Sequence, residues 1–139
     1  MKTIEDVIRI ELPKFTDPRG NLSFIEQNNH IPFEIKRTYW IYDVPGGENR
    51  GGHAFRLNEE FVIALSGAFD VIIDDGKQRK NITLNRSYYG LYIPAGLWRE
   101  MGNFSTNSLA LEFGSKHYDV YDYVRDYGEF LKMKNNGEI

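Results

Sequence analysis

From Ile8 to Phe113 the hydrophobic residues of this chain come in short alternating runs, each closed by a turn signal, and that rhythm most restricts what it can fold into. Ile8, Ile10 and Leu12 alternate with Arg9 and Glu11 before Pro13. Residues two apart on a strand face the same side, so such a run predicts a half-buried strand. Asp17-Pro18-Arg19-Gly20 has the chemistry of a turn: an Asp corner, a Pro that presets φ and a closing Gly. Leu22, Phe24 and Glu26 predict a second strand, and after Pro32 the residues Phe33, Ile35, Arg37, Tyr39 and Ile41 share one face. Phe61 to Leu65 is apolar throughout; its shortness and the Ser66-Gly67 turn favour a buried strand over a helix. Phe69, Val71 and Ile73 lead to Asp75-Gly76, a dipeptide preferred in tight hairpins. Ile82 and Leu84, Gly90 to Ile93, Leu97 to Met101, and Leu109, Leu111 and Phe113 complete the series. Short strands punctuated in this way predict an all-β antiparallel sandwich or barrel.

The tail changes period. Val120, Val124, Tyr127 and Leu131 fall at helical spacing, with Asp119 and Asp122 near the start and Lys132 and Lys134 at the end. One C-terminal helix over residues 118–132 is predicted. No repeat or linker interrupts the 139 residues, so a single domain over 1–139 is expected. The chain has no cysteine, which removes disulfides and thiolate zinc sites. Its net charge of −3 offers no basic field for nucleic acid or an anionic membrane. No stretch approaches the roughly 20 apolar residues of a membrane helix. Met1 to Asp6 carries acid and no apolar signal core, so the expectation is a soluble cytoplasmic protein.

The chemistry concentrates between Gly47 and Gly67. Gly47, five residues, His53, one residue, Phe55, four residues, Glu60, six residues, Gly67 form one pattern. Pro94-x-Gly96, two residues, Arg99, three residues, Asn103 form another. Together they resemble the two motifs of the cupin superfamily, which implies a small jelly-roll barrel with its site in the mouth. Metal-binding cupins place two histidines and a glutamate in the first motif and a histidine in the second. Here those positions hold His53, Phe55, Glu60 and Arg99. A divalent ion takes neutral imidazole or anionic oxygen, typically from three or more side chains, whereas a guanidinium has no acceptor. No metal and no other cofactor is therefore expected, and Arg99 reads as an ion-pair partner for Glu60 in place of a lost ion.

A narrower resemblance spans most of the chain: Asp17-x-Arg19-Gly20, Ile31-Pro-Phe-x-Ile-Lys-Arg37, Tyr39, Arg50-Gly-x-His-Ala54, Asp74-Asp-Gly76, Gly90-Leu-Tyr92, Trp98-x-Glu-Met101 and Tyr121-Asp-Tyr-Val-Arg125. This pattern is similar to that of the nucleotide-sugar 3,4-ketoisomerases, metal-free cupins acting on dTDP-4-keto-6-deoxyglucose and related to dTDP-sugar 3,5-epimerases. The resemblance implies a homodimer with exchanged N-terminal strands, working in deoxyaminosugar synthesis for surface polysaccharides. It implies His53 as catalytic base with Tyr39 beside it, and Arg19 and Arg50 near the pyrophosphate or sugar. Arg99 matches a position that influences how the sugar is held. Phe55 departs from the family, many members having a second histidine there; as a pocket residue it would offer the sugar ring a stacking face.

The residues suit that reaction. Moving a ketone between adjacent carbons needs one base with a near-neutral pKa, which histidine has without any shift. Singly, each residue has a plainer reading: His53 a structural histidine, Tyr39 core, Arg19 a solvated charge. Two further readings stand beside the isomerase: a 3,5-epimerase-like enzyme, and a sugar-nucleotide-binding cupin without catalysis, which Phe55 favours.

Overall fold

The computed structural model describes residues 1–139. Two five-stranded antiparallel sheets face each other, and a two-stranded hairpin stands apart. The strands are β1 (Ile8–Glu11), β2 (Lys14–Asp17), β3 (Gly20–Ser23), β4 (Arg37–Tyr42), β5 (Arg50–Phe55), β6 (Glu60–Ser66), β7 (Phe69–Asp74), β8 (Arg79–Leu84), β9 (Tyr89–Ile93), β10 (Trp98–Gly102), β11 (Leu109–Gly114) and β12 (Tyr123–Val124). The first sheet runs β1-β9-β6-β11-β4, the second β12-β5-β10-β7-β8, and β2-β3 is the separate hairpin. This is the jelly roll expected, with the sheets facing each other as separate ladders.

Between the sheets lies the main core, with Val62, Ala64, Phe69, Val71, Ile73, Leu91 and Leu97 all buried. The continuous apolar run of β6 has a direct cause, because both of its faces are covered. Val62 and Ala64 point into the main core, while Phe61 and Ile63 pack under Leu12, Ile31 and Phe33 of the N-terminal segment. A strand buried on both faces cannot alternate with polar residues.

The N-terminal half departs from the expected strands. β3 ends at Ser23 and β4 begins only at Arg37. In between, the Glu26 N–H donates to His30 Nδ1 at 2.8 Å, and Ile31 and Phe33 are buried as loop residues. The expected tight hairpin after β7 is a wider turn. The Asp75 carboxylate accepts the N–H groups of Lys77 (2.9 Å) and Gln78 (2.8 Å), and also that of Ile4 (3.0 Å), tying the chain start to this turn.

The helix expected over 118–132 is a correction. Residues Val120–Asp122 form a 3₁₀ turn, β12 follows, and the helix α1 runs Tyr127–Asn135. Two aspartates decide this. Asp119 caps the 3₁₀ turn through the Tyr121 N–H at 3.0 Å, and Asp126 caps α1 through the Glu129 N–H at 2.8 Å. Val124, which helical spacing assigns to the helix, is buried and pairs with Ala54 of β5. α1 then packs Phe130 and Met133 against Ala54 and Trp98 on the outer face of the second sheet.

Asp122 holds this arrangement to the first motif. Its buried carboxylate accepts the N–H groups of Leu57 (2.7 Å) and Asn58 (3.1 Å), two residues that lead into β6. Asp122→Ala leaves both donors without an acceptor and is expected to lower the unfolding free energy by about 1–3 kcal/mol in urea denaturation. An unchanged midpoint would show that water replaces the carboxylate at no cost.

Candidate active site

His53 is aimed by a backbone irregularity. β5 and β10 pair His53 with Arg99 and Gly51 with Glu100, so Gly52 is an extra residue in the ladder. Gly51 and Gly52 have φ of +98° and +61°, and a Cβ on Gly51 would lie 3.2 Å from the Glu100 backbone. Only glycine suits such a position, and a bulge of this kind re-aims the side chain that follows it. That is the local reason for the Arg-Gly-Gly-His run.

The side chains of β5 at 53 and 55 face inward together, as the spacing predicted. The His53 ring sits 4.7 Å from that of Phe55 in an edge contact and 5.2 Å from that of Tyr123. Its Nε2 is buried and has no hydrogen-bond partner. Burial first, and then the neighbouring Arg99 charge, push the imidazole down to about 4. At neutral pH it is therefore unprotonated and holds a free lone pair.

Below it lies a buried ion pair joining the two sheets. Arg99 of β10 donates to Glu60 Oε1 of β6 at 2.5 Å, with both side chains about 2% exposed. Arg99 also donates to the Leu97 carbonyl at 3.1 Å, and its guanidinium lies 5.0 Å from the Phe55 ring centre. The Tyr39 hydroxyl of β4 donates to the other oxygen, Glu60 Oε2. Burial alone would raise the Glu60 carboxyl, but Arg99 and the Tyr39 hydroxyl outweigh it and hold it below the ordinary carboxylate range. Tyr39 itself is pushed above the usual phenol value by burial and by Glu60 and Glu112. The pairing of Arg99 with Glu60 expected from the sequence is thus present. Both oxygens of Glu60 are engaged, and nowhere do three His, Asp or Glu side chains converge as a metal site would need.

Phe55 is buried to 1% and packs between His53, Tyr123 and the two guanidinium groups of Arg99 and Arg37. Its face is covered by these neighbours. Arg50 lies exposed at the start of β5 without an ion pair. Arg19 is not brought to the others: it tips the β2-β3 hairpin, 91% exposed, and pairs only with Asp17 at 2.8 Å.

Three side chains join the site that the motif spacing did not single out. Arg37 lies over the rings of Tyr39 (4.9 Å), Phe55 (5.7 Å) and Tyr118 (5.8 Å), with its Nε buried and unpartnered. Its Nη1 donates to the Tyr123 hydroxyl at 3.4 Å. Tyr123 flanks His53 because β12 pairs it with Phe55. Glu112 of β11 is the cross-strand partner of Tyr39 and is buried. Arg37 and Tyr39 do share the alternating face on which both were expected, and Arg37 and Tyr123 also fall within runs that carry the narrower resemblance.

A two-sheet jelly roll with an imidazole, a phenol and a carboxylate–guanidinium pair between its sheets is a cupin-type domain. The family described as FdtA: WxcM-like, C-terminal matches residues 5–135, and the chain belongs to that family. A TDP-4-oxo-6-deoxy-α-D-glucose 3,4-oxoisomerase from Aneurinibacillus thermoaerophilus is 42% identical over 123 residues, 88% of each chain. The crystal structure of WlaRB, a TDP-quinovose 3,4-ketoisomerase from Campylobacter jejuni, superposes with a TM-score of 0.88 at 43% identity, over 93% of this chain and 99% of that one. QdtA, a sugar 3,4-ketoisomerase from Thermoanaerobacterium thermosaccharolyticum solved with TDP, gives a TM-score of 0.94 at 31% identity over 99% and 100% of the two chains.

The ion pair generates a stability prediction. Arg99→Met leaves Glu60 buried without its counter-charge and is expected to cost about 3–5 kcal/mol in chemical denaturation. Replacing both with methionine should recover most of that loss. A double variant as unstable as the single would mean that Arg99 acts by packing alone.

Proposed function

We infer that this chain is a metal-independent 3,4-ketoisomerase of a dTDP-4-keto-6-deoxyhexose, working in the cytoplasm as a homodimer. The observation that carries this reading is the half-buried, unprotonated His53 with its free Nε2, in the field of the Glu60 carboxylate that accepts the Tyr39 hydroxyl. The named relatives, all 3,4-ketoisomerases of TDP-linked or related sugars, support the substrate class.

In this reading His53 Nε2 removes the C3 proton of the bound sugar. The electron pair forms the C3–C4 double bond while the C4 oxygen gains a proton, giving an enediol. The same imidazole then returns its proton to C4 on the same face, as the O3 proton leaves. Tyr39 carries protons to and from the two oxygens. Arg37 is the donor assigned to charge on those oxygens: each of Arg37 and Arg99 has an unpartnered Nε, but only Arg99 is already held by a carboxylate, Glu60. Arg50 and Arg19 are the candidates for the diphosphate, since arginine forks match phosphate oxygens in pairs. The donor set supports metal independence: the oxygens of Glu60 are taken and Arg99 stands where a fourth ligand would be.

Arg19 would reach a site only across a dimer. The β2-β3 hairpin exposes Phe15 (61%) and Leu22 (59%), and the edge strand β4 exposes Trp40 (55%) and Tyr42 (61%). A groove of about 710 Å³ lies not over His53 but on this outer face, lined by Phe24, Ile63, Leu65, Leu111 and Phe113 among others. Apolar surface of this kind suits exchange of the N-terminal strands with a second copy. Sedimentation should give twice the 16.2 kDa chain mass. Phe15→Glu with Leu22→Glu should yield monomers that lose activity; a fully active monomer would refute the shared site.

Incubation with dTDP-4-keto-6-deoxyglucose in D₂O, followed by NMR, tests the reaction. The ketone is expected to move to C3, with deuterium at C4 in the fraction of turnovers in which the His53 imidazolium exchanges with solvent before it reprotonates C4, and His53→Asn should lose at least about 10²-fold in rate. Deuterium at C5 would indicate epimerisation instead. Tight binding of the sugar nucleotide without exchange would indicate a binding cupin, the reading Phe55 favours. Because the folded imidazole is lowered from about 6.5 to about 4, the acid limb of kcat/KM assigned to His53 should fall near pH 4, leaving activity flat from pH 6 to 8. The same shift works against the fold in acid. Stability is whole above the unfolded value and declines as pH falls from about 6.5 toward 4, since only the unfolded imidazole takes up the proton there.

A further inference from the structure

We propose that Glu112 and Glu60 hold one proton between them and act as a proton reservoir behind Tyr39. This deepens the isomerase reading, on which it rests. The geometry begins with register. β11 lies between β4 and β6, and Glu112 faces Tyr39 on one side and Val62 on the other, pointing inward with both. Glu60 is on β6 two residues before Val62 and points the same way, and the Glu60 and Glu112 carboxyls are hydrogen-bonded to each other while Glu60 also accepts the Tyr39 hydroxyl. Both are buried, at 1% for Glu60 and 4% for Glu112.

The charges facing this pair can be counted element by element. From β10 comes Arg99, committed to Glu60; from β4 come Arg37 and the phenol of Tyr39; from β5 comes His53, neutral at pH 7. Glu112 has no cation within ion-pair distance. Two carboxylates in contact in a buried site do not both ionise, so one proton stays with the pair. Arg99 and the Tyr39 hydroxyl keep Glu60 ionised, and burial together with the Glu60 charge raises Glu112 well above the ordinary carboxylate range. The proton therefore rests on Glu112, which donates it to Glu60.

This supplies what Tyr39 lacks. Burial and the adjacent carboxyls disfavour its phenolate, so a phenol that simply surrendered its proton would become an unfavourable anion. With the reservoir, as the C3–H bond breaks to His53, the Tyr39 O–H bond breaks and an O–H bond forms on O4. The proton of Glu112 passes through Glu60 and restores the phenol. The site then holds two carboxylates opposite Arg99 and a new imidazolium, so its total charge is unchanged. In the second half the O3 proton returns through Tyr39 to the carboxyl pair, and the imidazolium gives its proton to C4. Nothing is oxidised overall and no co-reactant is needed.

Glu112→Gln distinguishes this from a structural role, because the amide still donates to Glu60 but has no proton to give up. The variant is expected to keep its fold, its dTDP affinity and its KM, and to lose about 10- to 100-fold in kcat, the scale on which outer partners of a working group act. Infrared spectroscopy of the unliganded wild type with ¹³C-labelled glutamate should show the carbonyl stretch of a protonated carboxyl at pH 7 that Glu112→Gln lacks. Absence of that band in the wild type, or a Glu112→Gln enzyme with wild-type kcat, would overturn the proposal. A wild type that shows the band but moves no ketone would remove the isomerase reading and the relay with it, leaving only the shared proton.

Discussion

The site is organised around one buried ion pair, Arg99 with Glu60. It spans the interior from the second sheet to the first, and both charges are almost wholly out of water. Desolvating two charges is costly, and attraction alone offsets it only when the remaining donors and acceptors are also satisfied. Glu60 meets this by accepting the Tyr39 hydroxyl, and Arg99 meets it in part by reaching the Leu97 carbonyl, its Nε remaining without a partner. The pair consequently determines where Tyr39 lies, which carboxyl is ionised and what field His53 feels. In cupins that bind a metal, an ion between the same positions draws the ligands together. Here a guanidinium stands there, fixed by backbone and carboxylate, and the positive charge is retained with no open coordination position.

That substitution shapes the chemistry the cavity can perform. Burial lowers the basicity of the imidazole, and the fixed cation beside it lowers it further, so His53 stays unprotonated well below neutrality. The apolar ring of Phe55 at its side adds no hydrogen bond that would raise it. What results is a half-buried, unprotonated imidazole whose Nε2 is free to accept a proton. The acidic and phenolic groups on the first sheet face this base on the second, so proton donors and acceptors stand on opposite walls of the space between the sheets.

How much was legible in the chain depends on the range of the interaction concerned. Strands bounded by Gly, Pro or Asp turns were readable because turn chemistry is local, and the Gly-Gly before His53 marks its bulge in the sequence itself. The C-terminal helix was misplaced because Val120, Val124, Tyr127 and Leu131 mimic its spacing, while the aspartates that cap the turn and the helix sit at 119 and 126. Glu112 is hidden in the sequence for a related reason. Leu109, Leu111 and Phe113 were the visible apolar face of β11, yet that face is the outer one, with Leu111 and Phe113 packing against the N-terminal segment's cluster. The inward face carries Ala110 and Glu112, and a carboxylate flanked by apolar neighbours was the only hint of it.

By itself the sequence determined strand periodicity, the positions of the turns, the two motif spacings and the mismatch of their side chains with a metal. All of these follow from local backbone preference or from the identity of the residues. Tertiary structure alone decided which groups join the Arg99–Glu60 pair, a pairing that the motif positions already suggest. Arg99 and Glu60 are 39 residues apart, and Tyr39 is 21 from the carboxylate it reaches. Such contacts depend on sheet register and on which face of each strand is enclosed, and a slip of one residue would turn every one of these side chains to the other side.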